Sequence, residues 1–267
     1  MKNSVMHFQA FLTALQFLTV FPVRFKSYPN ETVVGLSLIY YPLVGAIIGG
    51  VLFTVSYFFQ GMASPVLAAF LLIVWVVCSG ALHLDGFADS VDAFMAGHSL
   101  HSEGSPEEQK NLKKERILSI MKDPTSGPVA VVALVLLLLL KFALLHSLIE
   151  YGLWYVLVLS PLIGRAFLPV VLLTTPYVRE NGSGSWLVDY APKDIVWPGL
   201  AVLTIGLIAL FGAWLFVTLI CCLFVFLGVR MYLMARIGGT TGDTAGGILE
   251  VIELMFMLFG VMLIQAM

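Results

Sequence analysis

Three aspartates, Asp85, Asp89 and Asp92, follow an uncharged stretch that runs from Leu36 to Leu84. On a helix, their spacing places all three carboxylates on one face. Crowded carboxylates either raise a pKa or bind a cation, and an all-oxygen ligand set favours Mg²⁺, Mn²⁺ or Ca²⁺ over zinc. The spacing therefore predicts a divalent-metal site. The alternative is that Asp85 caps the following helix and the other two carboxylates are only solvated.

A glycine-rich polar segment, Gly238 to Gly247, precedes the last apolar stretch of the chain. Glycines let backbone amides approach an anion closely, and a helix N-terminus adds partial positive charge. If a helix begins at Asp243, Glu250 lies on the same face two turns later. The pattern predicts a phosphate-binding loop with Asp243 and Glu250 as metal ligands; the alternative is a flexible turn. The loop positions predicted to bind phosphate are Gly239, Thr241 and Gly242.

Basic residues in two polar segments could complete an anion site. Arg116 and Lys122 belong to the longest polar segment, residues 93–128, in which residues 111–122 could form a helix that carries both toward a phosphate. The alternative for the lysines of this segment is a lipid-facing basic patch. Arg179 lies shortly before a Gly-Ser-Gly sequence and is also predicted to bind phosphate.

Arg165 and Lys141 are charged residues inside apolar stretches. An unpaired guanidinium is costly in a membrane, so Arg165 is predicted to face the protein interior and meet a carboxylate or a phosphate. A structural ion pair is the alternative. Lys141 is predicted to pair or to extend toward the membrane boundary rather than to catalyse.

The chain that positions these residues is strongly apolar. Hydrophobic residues make up 60% of its 267 residues and charged residues 11%, with a mean hydropathy of +0.98, which indicates an integral membrane protein. Since about 20 apolar residues cross a bilayer, the sequence predicts an all-α, polytopic helical bundle of seven spans, or six if residues 195–234 are continuous. The predicted spans are 35–58, 65–84, 129–148, 152–173, 195–212, 214–234 and 248–265.

The first thirty residues are predicted to lie on the membrane surface rather than to form a cleaved signal. Phe8, Phe11 and Leu15 recur at helical spacing, whereas Gln9, Thr13 and Gln16 fall on another face. The chain is predicted to form one membrane-embedded catalytic domain, 1–267, with 1–30 as the interfacial segment and 93–128 as a long cytoplasmic loop.

The basic residues predict the orientation. With the N-terminus in the cytoplasm, twelve of the fourteen Lys and Arg residues fall inside or at the inner boundary. The acidic and glycine-rich motifs then face the cytoplasm. A net charge of −2 argues against a nucleic-acid partner. The twelve residues are Lys2, Arg24, Lys26, Lys110, Lys113, Lys114, Arg116, Lys122, Arg179, Lys193, Arg230 and Arg236.

Taken together, these motifs resemble the cobalamin synthase family, the adenosylcobinamide-GDP ribazoletransferases. The most specific pieces are His-Leu-Asp-Gly-x-Ala-Asp-x-x-Asp and Gly-Gly-x-Thr-Gly-Asp, and the likeness covers nearly the whole chain. Ala93, Pro124 and Gly247 depart from residues common in the family. The motifs that carry the resemblance are His83 to Asp92, Arg116 with Met121 to Asp123, Arg165, Arg179 with Gly182 and Gly184, and Gly238 to Glu250.

The resemblance implies a reaction in a prokaryotic inner membrane. Adenosylcobinamide-GDP would be joined to α-ribazole or its 5′-phosphate, with release of GMP and a requirement for Mg²⁺. Asp85, Asp89, Asp92 and Asp243 would bind one or two Mg²⁺ ions with Glu250 as a further ligand, and an unligated carboxylate, with Asp92 favoured over Asp89, would be the base. The oligomeric state, monomer or homo-oligomer, is left open. The residues expected to contact phosphate are Arg116, Lys122, Arg165 and Arg179.

Two other functions are consistent with acids at one membrane side. A CDP-alcohol phosphotransferase also binds metal through aspartates, but its pattern expects Asp-Gly-x-x-Ala-Arg, and Asp89 and Ser90 occupy the alanine and arginine positions. A divalent-cation transporter would need acids along the path, whereas the mid-span charges Lys141 and Arg165 are basic.

Overall fold

The computed structural model describes residues 2–25, 27, 29–98, 105–123, 125–179 and 183–265. Within these ranges the chain forms twelve α-helices and no β-strand, which confirms the predicted all-α class. A short 3₁₀ turn, Ser37–Tyr40, joins α2 to α3. The helices are α1 Lys2–Leu18, α2 Glu31–Leu36, α3 Tyr41–Phe58, α4 Ser64–Ser79, α5 Leu82–His98, α6 Pro106–Ile120, α7 Pro128–Glu150, α8 Trp154–Thr174, α9 Ser183–Asp189, α10 Lys193–Phe211, α11 Ala213–Arg236 and α12 Gly242–Gln265.

Six helical segments in the described ranges are long and apolar enough to cross a membrane, and a bent pair could supply a seventh. The six are Glu31–Phe58, Pro128–Glu150, Trp154–Thr174, Lys193–Phe211, Ala213–Arg236 and Gly242–Ile264. The bent pair is α4 and α5, which meet at 87°. This agrees with the predicted bundle of six or seven spans.

The predicted second span, 65–84, is shorter in the structure because α4 stops at Ser79. Gly80 ends the helix in the left-handed conformation at φ +63°, a conformation that glycine adopts without strain. The chain then turns into α5, which lies across the starting ends of α7 and α12 rather than continuing along α4. The three aspartates of the first motif therefore lie on α5, after the bend, rather than at the end of a straight second span.

The long apolar stretch from 195 to 234 is divided, as predicted. α10 ends at Phe211 and α11 begins at Ala213. Gly212 between them has φ +82°, so a residue with a side chain would be strained at this break.

α8 lies at the centre of the bundle and packs closely against α3. A Cβ atom at Gly45 or Gly49 would collide with the backbone of Pro161 or Val158. Small residues of this kind let two membrane helices approach without intervening side chains. The tight packing keeps the middle of α8, including Arg165, out of contact with lipid.

The N-terminal segment forms the predicted helix, α1, but Thr13, predicted on its polar face, is buried. Thr13 is 1% exposed, and its hydroxyl is satisfied inside the protein because it donates to the Gln9 carbonyl oxygen at 2.8 Å. Phe8 is 62% exposed on the outer surface.

The polar segment 93–128 contains more helix than predicted. α5 continues into it as far as His98, and α6 begins at Pro106, five residues before the predicted helix. Ser105 and Glu108 form a capping box, in which each side chain accepts from the backbone N–H of the other residue, and this fixes the start of α6.

Candidate active site

The crossing of α5 over the start of α12 gathers acidic side chains from two distant parts of the sequence. Gly86 packs directly on Asp243: a Cβ atom at Gly86 would lie 2.7 Å from the Asp243 carbonyl oxygen and 2.9 Å from its Cα. Asp85 and Asp89 flank Gly86 within one helical turn. Both therefore lie beside Asp243, and the three carboxylates form what we call the acidic cluster.

Asp89 shows the electrostatic consequence of this arrangement. Burial, together with the carboxylates of Asp85 and Asp243 and a smaller effect of Asp92, raises the pKa of Asp89 to about 6 against the opposing guanidinium of Arg179. A cation bound to the cluster would relieve this repulsion. In the part of the chain that the structure describes, no three His, Cys, Asp or Glu side chains are already arranged as a metal site. Carboxylate oxygens suit a hard divalent ion. The side chains of the cluster would have to rearrange around the ion when it binds.

Arg179, which the sequence predicts to bind phosphate, contacts the acidic cluster. Its Nη2 forms an ion pair with Asp243 at 2.6 Å and donates to the Met121 carbonyl oxygen at 3.2 Å. Met121 directly follows α6, so this contact also brings the C-terminal end of α6 to the site. Arg116 and Lys122 are exposed on and just beyond that end.

The glycine-rich loop is held by bonds within the protein. Val178 N–H donates to the Thr240 carbonyl oxygen at 2.9 Å, and Thr240 N–H donates to the Pro176 carbonyl oxygen at 2.8 Å. Gly239 must lack a side chain because a Cβ atom there would collide with the Pro176 carbonyl. The loop is therefore fixed against the segment that leads to Arg179.

The first turn of α12 is capped by threonines. Thr241 Oγ1 accepts from Thr244 N–H at 3.2 Å, and Thr241 N–H donates to Thr244 Oγ1 at 2.8 Å. Gly242 lies beside the Tyr177 hydroxyl, which is 3.8 Å from the position that a Cβ atom would take there. The Thr241 amide is thus hydrogen-bonded within the loop in this structure, and phosphate binding by Thr241 and Gly242 stays a prediction.

Asp92 lies on α5, and its carboxylate contacts the start of α7. Its carboxylate accepts from Gly127 N–H and, at 3.0 Å, from Ala130 N–H. Amides at the N-terminus of a helix have no partner within the helix. The N-cap residue of α7 is Gly127, which has no side chain to accept from them, and Asp92 takes that role. Both oxygens of Asp92 thus cap α7 in this structure, and the predicted roles of Asp92 as base and metal ligand stay predictions.

Glu250 and Arg165 lie deeper in the bundle, in a buried ion network. Lys141 Nζ contacts Glu250 and Glu253 at 2.7 Å each, and Arg165 pairs with Glu253. Lys141 also lies 4.2 Å from the Trp75 ring centroid. The structural ion pair that the sequence left as the alternative for Arg165 is the one observed, and the predicted pairing of Lys141 is found as well. Glu250, predicted as a further metal ligand, pairs with Lys141 in this structure.

Three residues near these sites were not assigned from the sequence. Glu253 could have been found by charge balance, because two cations inside apolar spans need two anions and Glu253 follows Glu250 by one turn. Tyr177, whose hydroxyl contacts Gly184, and Lys114, whose Nζ lies 3.8 Å from the Cβ position of Gly238, carry no sequence signal of their own. Only the fold brings them to the site.

Replacing Gly86 should test the helix crossing. We expect Gly86→Ala to lower turnover by about 10²-fold, because the added Cβ pushes α5 from Asp243 and a shift of about 1 Å in a catalytic group has an effect of this size. The measurement is product formation by purified protein. The matched control is Gly228→Ala on α11, where the added Cβ meets no atom within 4 Å; equal activity in both variants would contradict a functional crossing.

The fold and the acidic cluster together define an integral membrane protein with an acidic, arginine-containing site at one end of its bundle. The sequence model of the Cobalamin-5-phosphate synthase family matches residues 10–261, and the chain belongs to this family. No solved structure matches the chain.

Curated relatives support the same assignment. An adenosylcobinamide-GDP ribazoletransferase of Pseudomonas putida KT2440 is 46% identical over 245 residues, which cover 91% of this chain and 95% of the relative. The protein of that name from Pseudomonas fluorescens Pf0-1 is 45% identical over 241 residues, 90% of this chain and 94% of the relative. That of Pseudomonas syringae B728a is 44% identical over 251 residues, 93% and 97% of the two chains.

Proposed function

We propose that the chain is a Mg²⁺-dependent transferase that joins adenosylcobinamide-GDP to α-ribazole or its 5′-phosphate and releases GMP. The substrates follow from the names of its relatives, which are adenosylcobinamide-GDP ribazoletransferases. The observation that carries the proposal is the acidic cluster beside Arg179, formed where α5 crosses α12. Acidic oxygens for a divalent ion next to a guanidinium for a phosphate are the groups that phosphoryl transfer requires.

The reaction is a displacement at phosphorus. A new bond forms between the ribazole hydroxyl oxygen and the phosphorus that bears cobinamide, and the bond from that phosphorus to the bridging oxygen of GMP breaks. Asp85, Asp89 and Asp243 would hold Mg²⁺, which when bound offsets charge on the diphosphate and on the leaving GMP. Arg179 supplies planar guanidinium donors to a phosphate oxygen.

The proton of the attacking hydroxyl needs an acceptor. Asp92 is occupied, since its oxygens accept backbone N–H groups of α7. We therefore assign the proton to a carboxylate of the acidic cluster, with Asp89 preferred because burial and the neighbouring carboxylates raise its pKa to about 6, near neutral pH. If Asp89 has this role, Asp85 and Asp243 remain as the metal ligands.

We propose that this site faces the cytoplasm from a prokaryotic inner membrane. The orientation rests on basic residues near the site end of the bundle, including the lysines of α6, Arg179 and Arg236. The bacterial origin of the relatives is consistent with this location. Exposure of Lys122 to a membrane-impermeant amine reagent in inside-out vesicles, but not in intact cells, would test the orientation.

A cation transporter is disfavoured by the buried ion network. A transport path needs acids that can exchange a cation, but the mid-span acids Glu250 and Glu253 are bound by Lys141 and Arg165. Membership of the Cobalamin-5-phosphate synthase family likewise disfavours a CDP-alcohol phosphotransferase.

The deciding experiment is GMP release by the detergent-purified chain with adenosylcobinamide-GDP, α-ribazole 5′-phosphate and Mg²⁺. We expect GMP and the joined corrinoid in equal amounts, and loss of both when the divalent ion is chelated. Full turnover after chelation would reject the metal requirement. Release of CMP from a CDP-alcohol, with no turnover of the corrinoid, would reject the proposed function.

A further inference from the structure

A cavity of about 220 Å³ adjoins the acidic cluster on the side of α12 that faces α1, α8 and α9. Apart from the backbone of α12, its walls are mainly apolar side chains contributed by several helices. Its polar lining comes from His83, Tyr177, Gly242 and Asp243. The main apolar wall residues are Phe17, Leu18, Tyr41, Leu168, Leu172 and Leu187.

The burial of its walls shows where this cavity opens. Leu168, Leu172 and Leu187 are only 5–6% exposed, so this part of the wall lies inside the bundle, whereas Leu82 on another side is 55% exposed. Gly242 is exposed, and the Asp243 side chain is 24% exposed. The cavity therefore has a buried apolar part and a polar mouth at a carboxylate of the acidic cluster.

Size and polarity limit what can enter. Pockets that enclose a whole drug-sized ligand usually measure about 300–1,000 Å³, so this cavity is too small for a corrinoid or a guanosine diphosphate. A phosphate group is disfavoured inside the cavity as well, because most of the lining is apolar and Asp243, which belongs to the lining, carries a negative charge. A flat, uncharged ring system of about two fused rings remains.

We propose that this cavity binds the aromatic base of the acceptor nucleoside, an inference that rests on the proposed function. Ribazole is a ribose attached to an apolar, bicyclic benzimidazole, whereas the other substrate is large and anionic. With the base among the leucines, the ribose lies at the mouth and directs its hydroxyl toward Asp243 and the acidic cluster. The cavity thus selects the acceptor by the shape of its base.

Tyr177 orients the polar mouth. Its hydroxyl lies beside Gly242 and contacts Gly184 of α9, so the ring lies between α9 and the start of α12. A ring fixed in this way offers a face or an edge against which a planar base can pack. Tyr177 is therefore a positioning residue for the acceptor, separate from the residues that hold phosphate.

Filling the cavity should weaken acceptor binding alone. We expect Leu187→Phe to raise KM for ribazole by about tenfold or more, since apolar pockets discriminate single methylene groups by at least this factor. KM for adenosylcobinamide-GDP, measured at saturating ribazole, should stay unchanged. The matched control is Leu203→Phe, in an apolar groove of about 300 Å³ between α3, α8 and α10 that has no carboxylate; both constants should remain at wild-type values.

Enlarging the cavity gives the opposite test and does not depend on whether Leu187→Phe folds. Leu187→Ala should improve kcat/KM for a ribazole analogue with a third fused ring, relative to ribazole, by about tenfold. An unchanged preference in Leu187→Ala would overturn the cavity assignment. So would an increase in KM for the corrinoid substrate, instead of ribazole, in Leu187→Phe. In both cases GMP release by the wild-type protein would still support the proposed function. Absence of GMP release by wild-type protein would instead reject the function itself.

Discussion

Asp89→Asn should abolish nearly all GMP release, by at least about 10³-fold, and leave the fold intact. The substitution keeps the shape of the side chain but removes a charge from the acidic cluster, and with it the proton acceptor or, if another carboxylate accepts the proton, an anionic ligand for a hard cation. Stabilisation of charge by a bound metal amounts to several kcal/mol, and each 1.36 kcal/mol changes the rate tenfold. Turnover, Mg²⁺ titration and thermal unfolding in detergent should be measured on the same sample.

Asp92→Asn is the matched control, because it removes the next carboxylate on the same face of α5. Asn can still accept a backbone N–H of α7, and loss of a helix cap destabilises by about 0.5–2 kcal/mol. We therefore expect a lower unfolding temperature but turnover within about tenfold of wild type. If Asp92→Asn loses as much activity as Asp89→Asn while remaining folded, Asp92 acts in the chemistry and its capping contacts to Gly127 and Ala130 are not its main role.

The sequence predicted the fold class and one half of the site because these depend on local patterns. Apolar stretches of membrane-spanning length identify helices without knowledge of their neighbours. The spacing of Asp85 and Asp89 defines a helix face in the same way. Arg179 was found because a basic residue next to a glycine-rich turn is a common anion-binding pattern.

The sequence could not distinguish a carboxylate that binds a ligand from one that binds the protein. Asp92 has the right residue type and spacing, but its partners are amides of α7 more than thirty residues away. Glu250 has the right spacing from Asp243, yet Lys141 reaches it from another helix. Such choices depend on which helices cross, and the crossing depends on glycines such as Gly86 whose contacts become visible only in three dimensions.

Glu253→Gln should destabilise the protein by about 3–5 kcal/mol, the usual effect of removing one partner from a buried ion pair. Glu253 is fully buried and pairs with Arg165, which is also fully buried, and with Lys141. Without this carboxylate, the two cations share Glu250 alone, and one positive charge in the bundle is not neutralised. Reversible thermal or denaturant unfolding in detergent should show the loss. Glu150→Gln is the matched control, because Glu150 is about half exposed and its contact with His146 at 3.7 Å is a surface pair worth little.

A double substitution separates a structural role of Arg165 from a role in binding phosphate. Arg165→Met combined with Glu253→Leu removes the pair together and leaves Lys141 with Glu250, so the charges remain balanced. Replacement of a buried pair by apolar residues is often neutral or stabilising, so the double variant should unfold near the wild-type temperature. It should also release GMP at close to the wild-type rate, because Arg165 contacts Glu253 and not the acidic cluster. A stable double variant without turnover would show that Arg165 reaches a substrate phosphate during the reaction.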